Sequence, residues 1–182
     1  MSLSNPATNA QSGASDYICA ILDVLGDRDP VAVQEQFPNA LRSAVAGLGD
    51  EELRRLESAG KWSIIEVVQH LADVELVYGN RLRMTAAQDT PAIQSFDQDL
   101  WASRLRYQES VLEDALEQIK VLSRVHVRLL RSLAPCDWSR YGVHAERGNE
   151  SIDRLARLHA GHGLAHLRQI ERIRGVHSGG GV

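Results

Sequence analysis

Three histidines crowd into one short stretch, His159-Ala-Gly-His162-Gly-Leu-Ala-His166, of a 182-residue chain that holds seven in all. His162 and His166 are four residues apart. In a helix they stand one turn apart on the same face, where two imidazoles can reach one metal ion together. The stripe they occupy is otherwise mostly apolar: Ile152, Leu155, His159, His162, His166, Ile170 (or Gln169) and Ile173, in steps of three or four residues. A second stripe, Val67, His70, Val74, Val77 and Arg81, carries His70 in the same way. If the two helices are neighbours, three imidazoles enter one interior. Burying them without partners costs on the order of a few kcal/mol each, a cost that a shared metal ion removes. The plainer alternative is three separate core or rim histidines, and spacing alone leaves it open.

The motif is not that of a zinc protease, which needs Glu directly after the first His as general base. Gly163 stands there instead. Gly161 and Gly163 keep the helix surface thin around His162, either for tight helix packing or for the approach of a ligand. His159, one turn earlier, could relay protons, support a ligand or simply pack. His144 and Glu146 lie in a loop and are expected at a rim or in solvent. His126, between Arg124 and Arg128, reads as a surface residue, and His177 belongs to the tail.

The elements that must position these residues are helical. Periods of three to four residues dominate, and alternating β-branched runs are few, which argues against a sheet. A first helical region spans about Asp16 to Ala46, broken or bent near Pro30 and Pro38. Gly47, Gly49 and Asp50 mark a connection. Ser63 and Glu66 form a capping box that starts the clearest helix, running to about Ala87 and ending before Pro91. A third helix is expected from about Asp99 to Leu133, stopped by Pro135. After a loop containing Trp138, Tyr141 and His144, a fourth runs from about Ser151 to Arg174 and ends at Gly175. The fold class is therefore all-α, a four-helix bundle in one domain of residues 16–175. The polar segment 1–15 and the Gly-rich tail 176–182 are expected to be flexible.

Composition narrows the functional classes. The net charge of -4 and the mixture of Arg104, Arg106, Arg124, Arg128 and Arg131 with Glu109, Glu113 and Glu117 give no basic face for nucleic acid. No apolar run approaches membrane-spanning length, and no secretion signal is recognisable, so the cytoplasm is the expected compartment. Cys19 and Cys136 are far apart and form neither a disulfide framework nor a CxxC site.

The stretch Trp62-Ser63-Ile-Ile-Glu66-Val-Val-Gln-His70-Leu-Ala-Asp73 resembles the W-S/T-x-x-E-V-V-x-H-L/I-A-D signature of DinB/YfiT-like proteins. His159-Ala-Gly-His162-Gly-Leu-Ala-His166-Leu is similar to their closing helix, with its H-x-x-H-x-x-x-H pattern. His144-Ala-Glu146-Arg-Gly148 resembles the H-P-E-x-G loop of the YfiT branch, and Asp89-Thr-Pro91 before Asp97, Asp99 and Trp101 also fits. The resemblance covers about Pro38 to Arg174. It implies a four-helix bundle, commonly a homodimer, with one divalent metal held by His70, His162 and His166. Nickel or zinc is the first expectation, with manganese or iron as further options. It also implies metal-dependent hydrolysis, or transfer of a low-molecular-weight thiol to an electrophile as in bacillithiol transferases and mycothiol-dependent isomerases. Two positions depart from the pattern: Leu158 stands where an aromatic is frequent, and Gly163 where a histidine is frequent.

Three neutral imidazoles would leave a divalent ion with an open position, the mark of a catalytic site. Water there would be acidified and a thiol would ionise. Asp73, Glu66 and His159 are candidates for the general base; for Asp73 a hydrogen bond behind the ligands or an ion pair with Arg81 ranks ahead of direct proton transfer. Tyr78 and Arg81 could line the pocket mouth, Arg81 holding a carboxylate of a cosubstrate. With no dedicated base evident, thiol transfer to a small electrophile is the first expectation, hydrolysis by metal-activated water the alternative, and a non-catalytic metal-binding bundle a second alternative.

Overall fold

The computed structural model describes residues 10–178, and side chains from residue 16 to 175. Among the described residues there are seven α-helices: α1 (Ala10–Leu25), α2 (Pro30–Val45), α3 (Asp50–Arg54), α4 (Ile64–Ala87), α5 (Gln98–Arg104), α6 (Leu112–Ser132) and α7 (Ile152–Ser178). Helix α1 thus begins inside the segment expected to be flexible, and α7 continues past the expected stop at Gly175. Residues 1–9 and 179–182 lie outside the described part.

Helices α2, α4, α6 and α7 are the four of the bundle. They neighbour one another in the ring α2–α6–α4–α7 and back to α2, and α1 lies against α7. Asp29 accepts the Val31 N–H at 3.0 Å and Pro30 occupies the first turn, so α2 starts where the sequence breaks. Pro38 does not break it. Proline has no N–H for the carbonyl four residues back, which is that of Gln34. The Ser123 hydroxyl of α6 donates to that carbonyl at 2.8 Å, so the helix runs through. On α4, Glu66 accepts the Ser63 N–H at 2.8 Å, the reciprocal half of the capping box.

Two expectations need correction. The single third helix is interrupted: Arg106 takes a left-handed backbone (φ 54°), and residues Tyr107–Glu109 make one 3₁₀ turn before α6. The break lets the Tyr107 side chain turn inward, where it is buried and donates to Asp73 Oδ2 at 2.5 Å. There is also a small sheet. Strand β1 (Ala92–Ile93) pairs parallel with β2 (Tyr141–His144), Ile93 opposite His144. β2 pairs antiparallel with β3 (Gly148–Ser151), His144 opposite Gly148. These strands are two to four residues long, too short for alternation to declare them.

The most buried stripe of α4 is Ile64, Val68, Leu71, Glu75, Tyr78 and Leu82. That of α6 is Leu116, Ile119, Ser123, His126 and Leu130. Both follow alternating steps of three and four, and both carry polar groups at the core. Gly161 and Gly163 serve tight packing: a Cβ would stand 2.4 Å from the Ile21 carbonyl oxygen of α1 and 2.9 Å from the Phe37 ring of α2, respectively.

Candidate metal centre

His70 of α4 and His162 and His166 of α7 meet between those helices. His70 Nε2 lies 3.3 Å from His162 Nε2, and His166 Nε2 lies 3.1 Å from the same atom. Among the described residues, these three form a metal-competent group, with ligand atoms all within 4.8 Å of one another. A tetrahedral ion with bonds of about 2.0–2.1 Å sets its nitrogens roughly 3.3–3.4 Å apart, so the two spacings to His162 suit a divalent ion, and the third pair lies within 4.8 Å. The orientation of His166 is fixed from behind: its Nδ1 lies 2.7 Å from Gln169 Oε1 and, facing a carbonyl-type oxygen, carries the hydrogen. Its Nε2 lone pair is left for the centre. The Trp62 ring packs on His70 at 5.0 Å, closing one side.

All three imidazoles are held neutral, as ligands must be. Burial pushes His70 and His162 well below the ordinary histidine value, and the neighbouring imidazoles push the same way. Burial lowers His166 to about 4, against a smaller opposing effect of its bond to Gln169.

A cavity of about 390 Å³ opens onto His70 and His162. Its walls are apolar at Ile18, Ile21, Val74, Val77, Leu155 and Leu158, and polar at His159, Arg81 and Arg147. Tyr78 also lines it and stacks flat on His159, ring centroids 3.9 Å apart and 5° between planes.

Beside the triad sits a second polar cluster. Glu75 is 1% exposed and its two oxygens are divided between two rings: His126 Nδ1 at 2.9 Å and His159 Nε2 at 3.1 Å. Burial would raise the Glu75 carboxyl, but His159 and His126 together more than offset it and bring it down to about 2. The carboxylate is therefore ionised, and both facing nitrogens must carry hydrogen. His126, read from sequence as a surface residue, is 1% exposed. Its two arginine neighbours in sequence point away on other faces of the helix, and Gly79 makes room for its ring, because a Cβ there would stand 2.3 Å from His126 Nε2.

The remaining candidates separate. Glu66 caps α4 and does not line the cavity. Asp73 does not pair with Arg81; its oxygens accept from Tyr107 Oη and Gln69 Nε2, and it does not line the cavity. His144, expected at a rim or in solvent, is 1% exposed, because β2 tucks it inward and the Glu146 N–H donates to its Nδ1 at 3.1 Å. Burial and then the nearby Arg147 lower it to about 4. Glu75 was missed, although its place in the Ile64–Leu82 stripe was readable.

The DinB superfamily profile matches residues 35–170. The chain belongs to the DinB superfamily. Its relatives include a protein of Oceanobacillus iheyensis named "Putative metal-dependent hydrolase OB0782", 32% identical over 76% of this chain and 80% of that one. A protein of Geobacillus thermodenitrificans, also named "Putative metal-dependent hydrolase", is 33% identical over 79% of this chain and 82% of that one. The solved structure of YfiT from Bacillus subtilis, described as a probable metal-dependent hydrolase with an unusual four-helix bundle topology, superposes with a TM-score of 0.71. It covers 94% of both chains at 23% identity. The DinB bundle thus accounts for the helices that bring the three histidines together. Among the described residues no helix is long and apolar enough to cross a membrane.

Proposed function

We propose that this DinB-superfamily protein is a divalent-metal-dependent hydrolase of small acyl substrates, with His70, His162 and His166 as ligands and zinc or nickel as the ion. The observation that carries the reading is that His159, which lines the cavity opening onto the triad, is held from behind by the buried carboxylate of Glu75. Thiol transfer was the first expectation because no general base was evident; this pair supplies one. The relatives named for metal-dependent hydrolysis support the same reading.

A bound divalent ion supplies Lewis acidity, which makes water nucleophilic near neutral pH and polarises an acyl oxygen. The protein's residues do the rest. Glu75 holds His159 by its Nε2–H, leaving Nδ1 as the basic nitrogen. His159 accepts the proton of the attacking water, Glu75 stabilises the imidazolium so formed, and His159 returns the proton to the leaving group. Tyr78, stacked on the ring, fixes its plane. The apolar walls exclude bulk water.

The test loads tag-free protein with zinc or nickel and offers activated esters and anilides without any thiol. Turnover is expected, abolished in His162→Ala and reduced about 100-fold or more in His159→Gln with metal content retained. Turnover that requires an added thiol would return the assignment to thiol transfer. Full activity in His159→Gln would remove the proposed base.

A further inference from the structure

Four residues on one line of α4 face the same cavity: His70, Val74, Val77 and Arg81. The first belongs to the metal triad, the next two are apolar and the last is a cation. Eleven helical steps separate the ends, about 16 Å between their Cα atoms. Arg147, from the turn between β2 and β3, joins Arg81 at the far end. We propose that Arg81 and Arg147 form an anion subsite, so that the substrate is an elongated acyl compound with its scissile group at the triad and a single carboxylate at the other end. The inference rests on the hydrolytic reading above and names its substrate class.

The two guanidinium groups differ in what already holds them. Arg147 makes a bidentate pair with Glu150, at 2.7 and 2.9 Å, and Glu150 is fully buried. That pair is internally neutral. Arg81 donates one Nη2–H to the Gln94 carbonyl, forms no ion pair among the described residues, and buries an Nε with no partner. It is a half-buried cation without a bonded counter-ion. Consistent with this, burial and the charge of Arg147 lower it to about 10, outweighing Glu150 and Glu146. An anion lodged against Arg81 would relieve both effects and accept charge-assisted hydrogen bonds.

The rest of the cavity selects among anions. Asp97, Asp99 and Glu146 also line it, so a group carrying two or more charges meets repulsion on the way in. A monoanionic carboxylate fits better than a phosphate ester. The apolar walls at Val74, Val77, Leu155 and Leu158 suit a methylene chain between the two ends of the substrate.

The experiment uses zinc-loaded full-length protein and two probes of matched length, suberic acid monoamide and suberic acid diamide, with binding read by calorimetry. The wild type is expected to bind the monoamide, which keeps one carboxylate, at least about tenfold more tightly than the neutral diamide. Arg81→Gln should bring that ratio close to one, Arg81→Lys should keep part of it, and the exposed Arg131→Gln should leave it unchanged. A second arm compares kcat/KM for the p-nitrophenyl esters of octanoic acid and of suberic acid (monoester). Preference for the charged monoamide without turnover of either ester would sink the hydrolytic reading and keep the subsite. Turnover with equal handling of charged and neutral compounds would keep hydrolysis and overturn the subsite. A wild-type ratio near one overturns it whatever the folding of the variants.

Discussion

Replacing Glu75 with Gln tests the buried cluster at its centre. The side chain is 1% exposed and receives two N–H donors, from His126 at 2.9 Å and His159 at 3.1 Å. Gln conserves volume and keeps one acceptor oxygen, so one imidazole retains its bond. The other loses its carboxylate acceptor and meets an NH₂ group, so it must shift its tautomer or give up the bond. Losing a hydrogen bond to a buried carboxylate costs about 1.5–3 kcal/mol. Against a total stability on the order of 5–15 kcal/mol, that is a large share, and it lowers Tm by roughly 5–10 °C in a chain of this size. Urea denaturation of metal-free wild type and Glu75→Gln at pH 7 measures the difference. The same variant, loaded with metal, should lose kcat at least about tenfold, because His159 loses the charge that supports its imidazolium. A stability change below about 1 kcal/mol would refute the claim that the two imidazoles depend on this carboxylate.

Other outcomes follow from the same geometry. His70→Ala, His162→Ala and His166→Ala should each lower metal content by at least about tenfold, measured on tag-free protein. His126→Gln should keep its metal while losing stability, since its imidazole serves Glu75; equal metal loss in all four would merge the two clusters. Metal-free protein should weaken on acidification. His166 titrates near 4 when folded and near 6.5 when unfolded, so the unfolded chain binds its proton first and stability falls as pH drops from 6.5 towards 4. For His166 alone the loss between pH 7 and 5 is about 2 kcal/mol, with His70 and His162 adding to it in the same direction. A flat urea midpoint over that range would contradict the neutral, buried triad. Gly161→Ala should cost about 1–3 kcal/mol, because its Cβ would press on the Ile21 backbone rather than on a side chain that can rotate.

The sequence made the bundle and the triad legible because both depend on periodicity. His162 and His166 share a face by spacing alone, and His70 interrupts an apolar stripe in a motif with a capped start. The other half of the site follows a different rule. Glu75 and His126 each occupy a core stripe on different helices, and neither has a partner within its own segment. Their pairing exists only once α4 and α6 are packed. Local charge was misleading for His126, whose arginine neighbours project from other faces, and for Asp73, whose partner proved to be a tyrosine in a break of the third helix. The small sheet was hidden by its length, although it buries His144 and aims Arg147 at the cavity.

The two histidine clusters show how one carboxylate changes what the same side chain can do. At the triad there is no acidic partner among the described residues; burial keeps all three rings neutral, helped at His70 and His162 by the neighbouring imidazoles, and leaves their lone pairs free to ligate. One turn earlier on α7, His159 has Glu75, whose carboxylate accepts its Nε2–H at 3.1 Å. A ring so placed can accept a proton during a reaction without leaving its position. Exchanging the environments would defeat both roles: a carboxylate at the triad would favour protonated, non-ligating imidazoles in the metal-free protein, and His159 without Glu75 would lose the hydrogen bond that orients its ring. Glu75→Leu should therefore lower kcat more than metal affinity, whereas His162→Ala should remove both. Glu75→Leu protein that had lost metal in proportion to activity would show that Glu75 acts by building the triad and not by supporting the base.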